Sequence, residues 1–170
     1  ACREASKQEI IRRYYKCLCE KRRNGTTKDD ICKLELLMKQ AEITVEDRKV
    51  TIAALEREKN ENGNPAMAIE LRDGTIVSGG TSELLGAASS ALINALKVLA
   101  GIDKEVKLID PKAIDPIQDL KINYLGSKNP RLHTDEVLTA LSATAANNEI
   151  AMKAMKKLPL LKGCDAHSTV

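Results

Sequence analysis

A chain of 170 residues is long enough for one domain, or for a compact domain with a helical extension, and a body of this size buries roughly 68–70% of its unfolded surface. Its 43% hydrophobic and 30% charged residues are globular in composition, and no apolar run approaches the ~20 residues of a membrane span. The 27 basic and 24 acidic side chains leave a net charge of +3, too little to point to nucleic acid or a membrane surface by field alone, and with no Phe or Trp a base-stacking platform has only Tyr14, Tyr15 and Tyr124 to draw on.

From residue 6 to about 62 the pattern is helical and charged. "SKQE" (6 to 9) reads as a capping box opening a first helix, with Ile10, Tyr14, Cys17 and Leu18 on one face. Lys21, Arg22 and Arg23 fall in its last turn before Asn24-Gly25, where cations complement the helix dipole and Gly supplies a left-handed terminator. Thr27 is the expected cap of a second helix with the stripe Ile31, Leu34, Leu37 and Met38. Thr44, with Asp47 three residues on, is expected to cap a third helix through about Lys59. "NENGNP" (60 to 65) is a turn-rich break, and it divides a helical section, 1–63, from an α/β domain, 64–170.

In the second part, "AMAIEL" and "TIVSG" flank Arg72-Asp73-Gly74, a hairpin signal. Thr81 is the expected cap of a helix through Ala100, whose small residues "GAASSA" let a sheet approach closely. "VKLID" (106 to 110) reads as a further strand reached through that helix, a βαβ unit with parallel pairing. A helix from Pro111 to about Leu125, a polar loop, a helix capped by Thr134, a short helix near 148 to 157 and a last strand "CDAHSTV" complete the chain. The predicted class is therefore α/β: a helical N-terminal section, then a small mixed sheet of hairpin plus βαβ flanked by helices. The order of elements also echoes the cytidine-deaminase-like fold, without that fold's zinc ligands, since no PCxxC occurs and the helix start offers only Gly86, Ala87, Ala88 and Ser89.

Three stretches carry candidate chemistry. On a strand, Cys164, Ala166, Ser168 and Val170 share one face and Asp165, His167 and Thr169 the other, so a local Cys164–His167 nucleophile pair is disfavoured. A zinc half-site there lacks two further ligands, and no metal is assigned. The row of Asp165, His167 and Thr169 is either the wall of a cleft or a cap and a backbone-bonded histidine. In "KNPRLHTDE", Lys128, Asn129, Arg131, His133, Thr134 and Asp135 stand at or before a helix N-terminus, a setting for an anion; the alternative is an Asn129-Pro130 turn followed by an ordinary cap. "SGGTS" (78 to 82) lacks both a P-loop Lys-Ser/Thr and GxGxxG spacing, and reads as a tight strand-to-helix turn. Five cysteines at 2, 17, 19, 32 and 164, with no CxxC pair and no signal-like opening, fit a reduced, cytoplasmic protein.

Longer phrases add a resemblance. "EASKQEIIRRYY", "ELLMKQA", "LGAASSALINALKVLAGI", "PIQDLK", "LGSKNPRLHTDEVLTALS" and "GCDAHSTV" together resemble the C-terminal part of a bacterial family known as domain of unknown function 1846, or uncharacterised protein family 0371. Some of its members have been labelled ATP-dependent peptidases. The resemblance implies an N-terminal portion with a glycine-rich, Lys-containing P-loop-like segment outside these 170 residues, and any nucleotide would belong there. It assigns no role to a particular residue. The opening Ala and the strand-like ending point the same way, to a piece of a longer protein.

The expected function is that of a substrate-binding or regulatory half of a cytoplasmic, nucleotide-dependent protein that takes a small anionic ligand. Lys128, Asn129, Arg131, Thr134, Ser168 and Thr169 would bind it in one cleft, with His133, His167 and Asp165 as proton-exchanging groups. A rival reading is a non-catalytic assembly module, using the alanine-rich face of 86 to 100 and the helices of 10 to 59 against a sister chain or the rest of the protein. A third, cysteine-dependent peptide hydrolysis, needs Cys164 exposed beside a histidine.

Overall fold

The computed structural model describes residues 2–25 and 28–169. Its first helix, α1 (Cys2–Asn24), begins before the expected cap: the Ser6 hydroxyl donates to the Cys2 carbonyl at 2.9 Å inside the helix, a back-bond to the preceding turn in place of a capping bond. Ile11, which the expected stripe omitted, is its fully buried residue and packs with Met38 and Ile43. The helix ends as predicted, with Lys21 to Arg23 in the last turn and Gly25 at φ 75° donating its N–H to the Lys21 carbonyl. In α2 (Lys28–Gln40), Ile31 and Met38 are buried while Leu37 stays largely exposed; Thr27, its expected cap, lies outside the described residues. The Thr44 N–H does donate to Asp47 Oδ2 at 2.8 Å, but this pair closes a single 3-10 turn, Val45–Asp47. The third helix, α3 (Lys49–Asn60), starts after Arg48.

The mixed α/β class holds, and so does the hairpin. β1 (Ala66–Glu70) and β2 (Ile76–Gly80) pair antiparallel, with Gly74 at φ 84° in the turn. The third strand is β3 (Asp165–Ser168), also antiparallel to β1, so the sheet order is β2-β1-β3. The βαβ unit is corrected accordingly. Residues 106–110 form no strand; Leu108 and Ile109 are buried instead in a cluster with Ile93, Leu96, Val137 and Leu141, and the Asp110 N–H is satisfied by the Thr144 hydroxyl at 3.0 Å. A short apolar run is equally compatible with burial among helices, and here the helices take it. The cytidine-deaminase-like order falls with that strand.

Alternation along the strands separates two packed faces. Ala68 and Ile76 point to α3, where they meet Val50 and Ala54; Ile69, Leu71 and Val77 point to the fourth helix, α4 (Ala87–Ala100), where they meet Ala91 and Ala95. Approach on the α4 side is close: a Cβ on Gly79 would stand 2.2 Å from the Ala91 amide nitrogen. α4 is capped by Gly86 and not by Thr81, whose hydroxyl donates to the Pro65 carbonyl at 2.8 Å. Both sheet edges are closed by side chains, Asn94 Nδ2 donating to the Ser78 carbonyl at 3.0 Å and Arg48 Nη2 to the Ala166 carbonyl at 2.7 Å. Occupied carbonyls of this kind blunt edge-to-edge pairing.

The remainder covers α4. α5 (Pro111–Asp119) is capped by Asp110 and runs into a π-helical turn, Leu120–Tyr124. α6 (Thr134–Ala145), α7 (Glu149–Met155, capped by Asn148) and a 3-10 turn (Leu158–Leu161) lead into β3. No helix among the described residues is long and apolar enough to cross a membrane.

Candidate functional site

The two polar segments singled out from sequence lie on different sides of the sheet and do not converge. Residues 128–135 sit on the α4 side and serve as a strap. Leu132, fully buried, forms a parallel bridge with Leu85, and its carbonyl accepts from the Gly86 N–H and, at 2.8 Å, from the buried Ser89 hydroxyl. Asn129 Oδ1 accepts the Arg131 N–H at 3.1 Å, and Arg131 Nε donates to the Ser82 carbonyl at 2.7 Å. The cap of α6 is His133, not Thr134; the His133 N–H donates to Glu136 Oε2 at 2.7 Å, and the same carboxylate holds the buried Lys121 ammonium at 2.8 Å. Lys128 and Thr134 are exposed.

At the other segment, alternation holds as expected. Cys164 and Ala166 pack on the α4 side, whereas Asp165 and His167 point toward α3. Thr169 exchanges bonds with the first residue of β1, its Oγ1 accepting the Ala66 N–H at 2.9 Å, so it ties two strands together. The Ser168 hydroxyl donates to the Thr169 carbonyl.

The centre of this side is a residue that sequence reasoning missed. Arg48, 2% exposed, donates from Nε to Asp165 Oδ2 at 3.0 Å and from Nη2 to Asp165 Oδ1 at 2.6 Å, a two-pronged ion pair. Its Nη1 lies 3.2 Å from His167 Nδ1. Arginine has only donors, so Nδ1 must accept, and the single proton of the neutral imidazole resides on Nε2. Burial, then the Arg48 guanidinium, push the His167 pKa down to about 4 against the opposing pull of Asp165. At neutral pH His167 is therefore a fixed N–H donor and not a proton exchanger.

That donor has nothing to donate to. His167 is 6% exposed, and Nε2 is buried without a hydrogen-bond partner; the Thr51 hydroxyl, on α3, is in the same condition. The Tyr15 ring stands edge-on to the imidazole with centroids 4.4 Å apart. A groove of about 510 Å³ opens beside this pair. One wall is α1, through Tyr15, Leu18, Cys19, Lys21 and Arg22; the other is α3, through Leu55 and Glu58; the floor is His167 to Thr169 on β3. Among the described residues no group of three or more His, Cys, Asp or Glu side chains could hold a metal ion.

The family model described as domain of unknown function DUF1846, C-terminal, matches residues 46–170, and its N-terminal companion matches residues 1–42. The chain belongs to the DUF1846 family. It is 52% identical over 169 residues to a UPF0371 protein of Corynebacterium glutamicum, 53% over 170 residues to one of Streptococcus thermophilus, and 54% over 168 residues to one of Streptococcus sanguinis. These alignments cover 98–100% of the chain but 34% of each relative, so the chain spans about a third of the length of the curated relatives it matches. Laid on the DUF1846 fold, the two matches divide the groove: Tyr15 to Arg22 belong to the N-terminal match, and Leu55, Glu58 and His167 to Thr169 to the C-terminal one.

Neither Arg48 nor Tyr15 has a sequence signal that singles it out. Arg48 lies 117 residues from Asp165, and Tyr15 is one of two adjacent tyrosines.

Proposed function

We propose that this chain contributes a small-molecule binding site to a larger protein, that the site is the groove between α1, α3 and β3, and that its occupant is anionic. The observation that carries the reading is the buried, unpartnered Nε2–H of His167, one of the residues lining the groove. An unmet donor in a low-dielectric interior costs about 1–3 kcal/mol, and a ligand acceptor relieves that cost. Support also comes from the groove's place at the seam of two family matches, since ligand sites favour domain interfaces. Lys21 and Arg22 at the mouth favour negative charge. The role is binding: a neutral imidazole anchored at Nδ1 orients a ligand but does not trade protons with it near pH 7. A nucleotide requirement of the whole protein remains part of the same proposal.

Two features of the rival readings find less support. Ala87, Ala91, Ala95 and Ala100 are buried, Ala91 and Ala95 of them against the sheet, so this alanine face of α4 is already covered. Cys164 points away from His167, and its thiol donates to the Leu160 carbonyl.

The test is a thermal-shift screen of the intact protein against nucleotides, phosphorylated metabolites and carboxylates, because a ligand of the native state raises the melting temperature by mass action. A hit is expected to lose its shift in the double variant Lys21→Ala, Arg22→Ala. A hit that keeps its full shift in that variant and in His167→Phe places the ligand elsewhere and ends the proposal.

A further inference from the structure

The groove is graded along its length. Tyr15, Leu18 and Arg22 follow one another at i, i+3 and i+7 on α1, and Leu55 and Glu58 at i and i+3 on α3. The groove thus runs from an inner end, where Tyr15 of α1 contacts His167, past an apolar middle of Leu18 and Leu55, to a charged mouth of Lys21, Arg22 and Glu58. Glu58 forms no ion pair with either cation, so the mouth keeps one more positive than negative side chain.

The inner end calls for a particular acceptor. Arg48 is already matched by Asp165 through both carboxylate oxygens, so no unspent cation waits there for a second anion. Burying an unpaired charge is far more costly than burying an uncharged carbonyl that receives a hydrogen bond. The donor itself is fixed in kind, because Arg48 Nη1–H at His167 Nδ1 excludes the tautomer that would accept from the ligand. The Tyr15 ring against the imidazole is only a weak substitute for an oxygen.

We infer that the groove selects an elongate amphiphilic anion. It presents an uncharged carbonyl oxygen to His167 Nε2–H, lays about 10 Å of chain along Leu18 and Leu55, a length set by the seven-residue rise from Tyr15 to Arg22, and leaves its carboxylate or phosphate at Lys21 and Arg22. This rests on the groove being the ligand site, and it adds what the ligand must carry. Arg48 acts as the positioning residue that sets the donor.

The experiment compares three probes on the intact protein by calorimetry: 6-acetamidohexanoate, with inner carbonyl and outer carboxylate; octanoate, without the inner carbonyl; and N-hexylacetamide, without the anion. The first is expected to bind about tenfold more tightly than either of the others, the value of one buried hydrogen bond or one mouth contact. His167→Phe is expected to erase the preference over octanoate alone. Independently of any variant, nitrogen-15 spectra of the histidines in the unliganded wild type are expected to show His167 protonated at Nε2 and unprotonated at Nδ1 at pH 7, with the Nε2 signal moving when 6-acetamidohexanoate is added. Octanoate binding as tightly as 6-acetamidohexanoate while perturbing groove residues would leave the groove a ligand site and overturn the carbonyl requirement. A proton on His167 Nδ1 would overturn it as well. If none of the three probes perturbs Tyr15, His167 or Arg22, both the inference and the ligand site fall.

Discussion

The two faces of the three-stranded sheet are packed on opposite terms. Against α4 the contact is close and apolar: Gly79 lies against the main chain of Ser90 and Ala91, Ile69, Leu71 and Val77 meet Ala91 and Ala95, and Asn94 bonds across at the edge. Against α3, β1 and β2 meet Val50 and Ala54, but β3 presents a carboxylate and an imidazole to the Arg48 guanidinium. The first arrangement leaves no slack and no unmet bond. The second leaves a donor unpaired and a groove beside it, walled by α1, which packs through Ile11 on Met38 and Ile43 and reaches across through Gln8 to the Asp47 carbonyl at 2.7 Å, Lys7 to Asp47 at 3.7 Å, and Tyr15 on His167. One face is a scaffold, and the other is where a ligand can change something.

The sharpest break of the scaffold face is Gly79→Val. Its Cβ would meet α4 main-chain atoms that cannot move aside without shifting the helix, so a loss of about 3 kcal/mol or more is expected in urea unfolding. Gly80→Ala is the control: there the nearest atoms are the Glu61 carboxylate, the end of a flexible side chain, and a loss below about 1 kcal/mol is expected. Equal losses at both glycines would remove the distinction. On the other face, Arg48→Ala strips partners from the Ala166 carbonyl, His167 Nδ1 and Asp165 together. Because the Asp165 side chain remains 42% exposed and water can take over part of its solvation, the expected cost is about 2–3 kcal/mol, below that of breaking a fully buried pair. Arg48→Lys should recover little, since a point ammonium cannot reproduce the fork.

Sequence reading succeeded where the deciding forces are local. Asp73-Gly74 specified the hairpin, the short helix expected near 148 to 157 is α7, Gly25 ended α1, and strict alternation sorted Asp165 and His167 from Cys164 and Ala166. It failed where tertiary partners compete with local rules. Thr81 looked like a cap but found the Pro65 carbonyl; Leu108 and Ile109 looked like a strand but were taken up by the helices; Thr134 lost the cap to His133 because Glu136 reaches back to that residue's N–H. The "NPRLHTDE" phrase invited an anion, yet its polar groups are largely spent on backbone partners. The placement of Asp165 and His167 on one strand face was therefore legible, though not what each of them touches. Arg48 was not, since nothing near residue 48 announces a partner on a strand 117 residues away.

The proton balance of His167 gives the next smaller effect. Its folded pKa, about 4, lies below the ordinary 6.5, so the unfolded chain takes up a proton over a range where the folded one does not. Stability from this group is complete above about pH 6.5 and is lost as pH falls toward about 4, by roughly 2 kcal/mol at about pH 4.5. Urea unfolding of wild type and His167→Gln at several pH values isolates it from the carboxylates that titrate in the same range. The gap between the two proteins should narrow on acidification; a constant gap would mean that His167 titrates normally, and a widening one that it is charged in the folded state.

Arg131→Ala is expected to do least, and that is its use. Sequence alone placed Arg131 and His167 in one cleft as equals, but Arg131 is exposed and donates a single bond to the Ser82 carbonyl at a loop, with no acceptor left short of water if it is removed. Exposed substitutions of this kind cost less than about 0.5 kcal/mol. The same variant should leave binding of any groove ligand unchanged, because the sheet and α4 stand between the two positions. A large loss of affinity in Arg131→Ala with stability intact would show that the strap at 128–135 reaches the ligand after all, and that the division between a scaffold face and a responsive face does not describe this molecule.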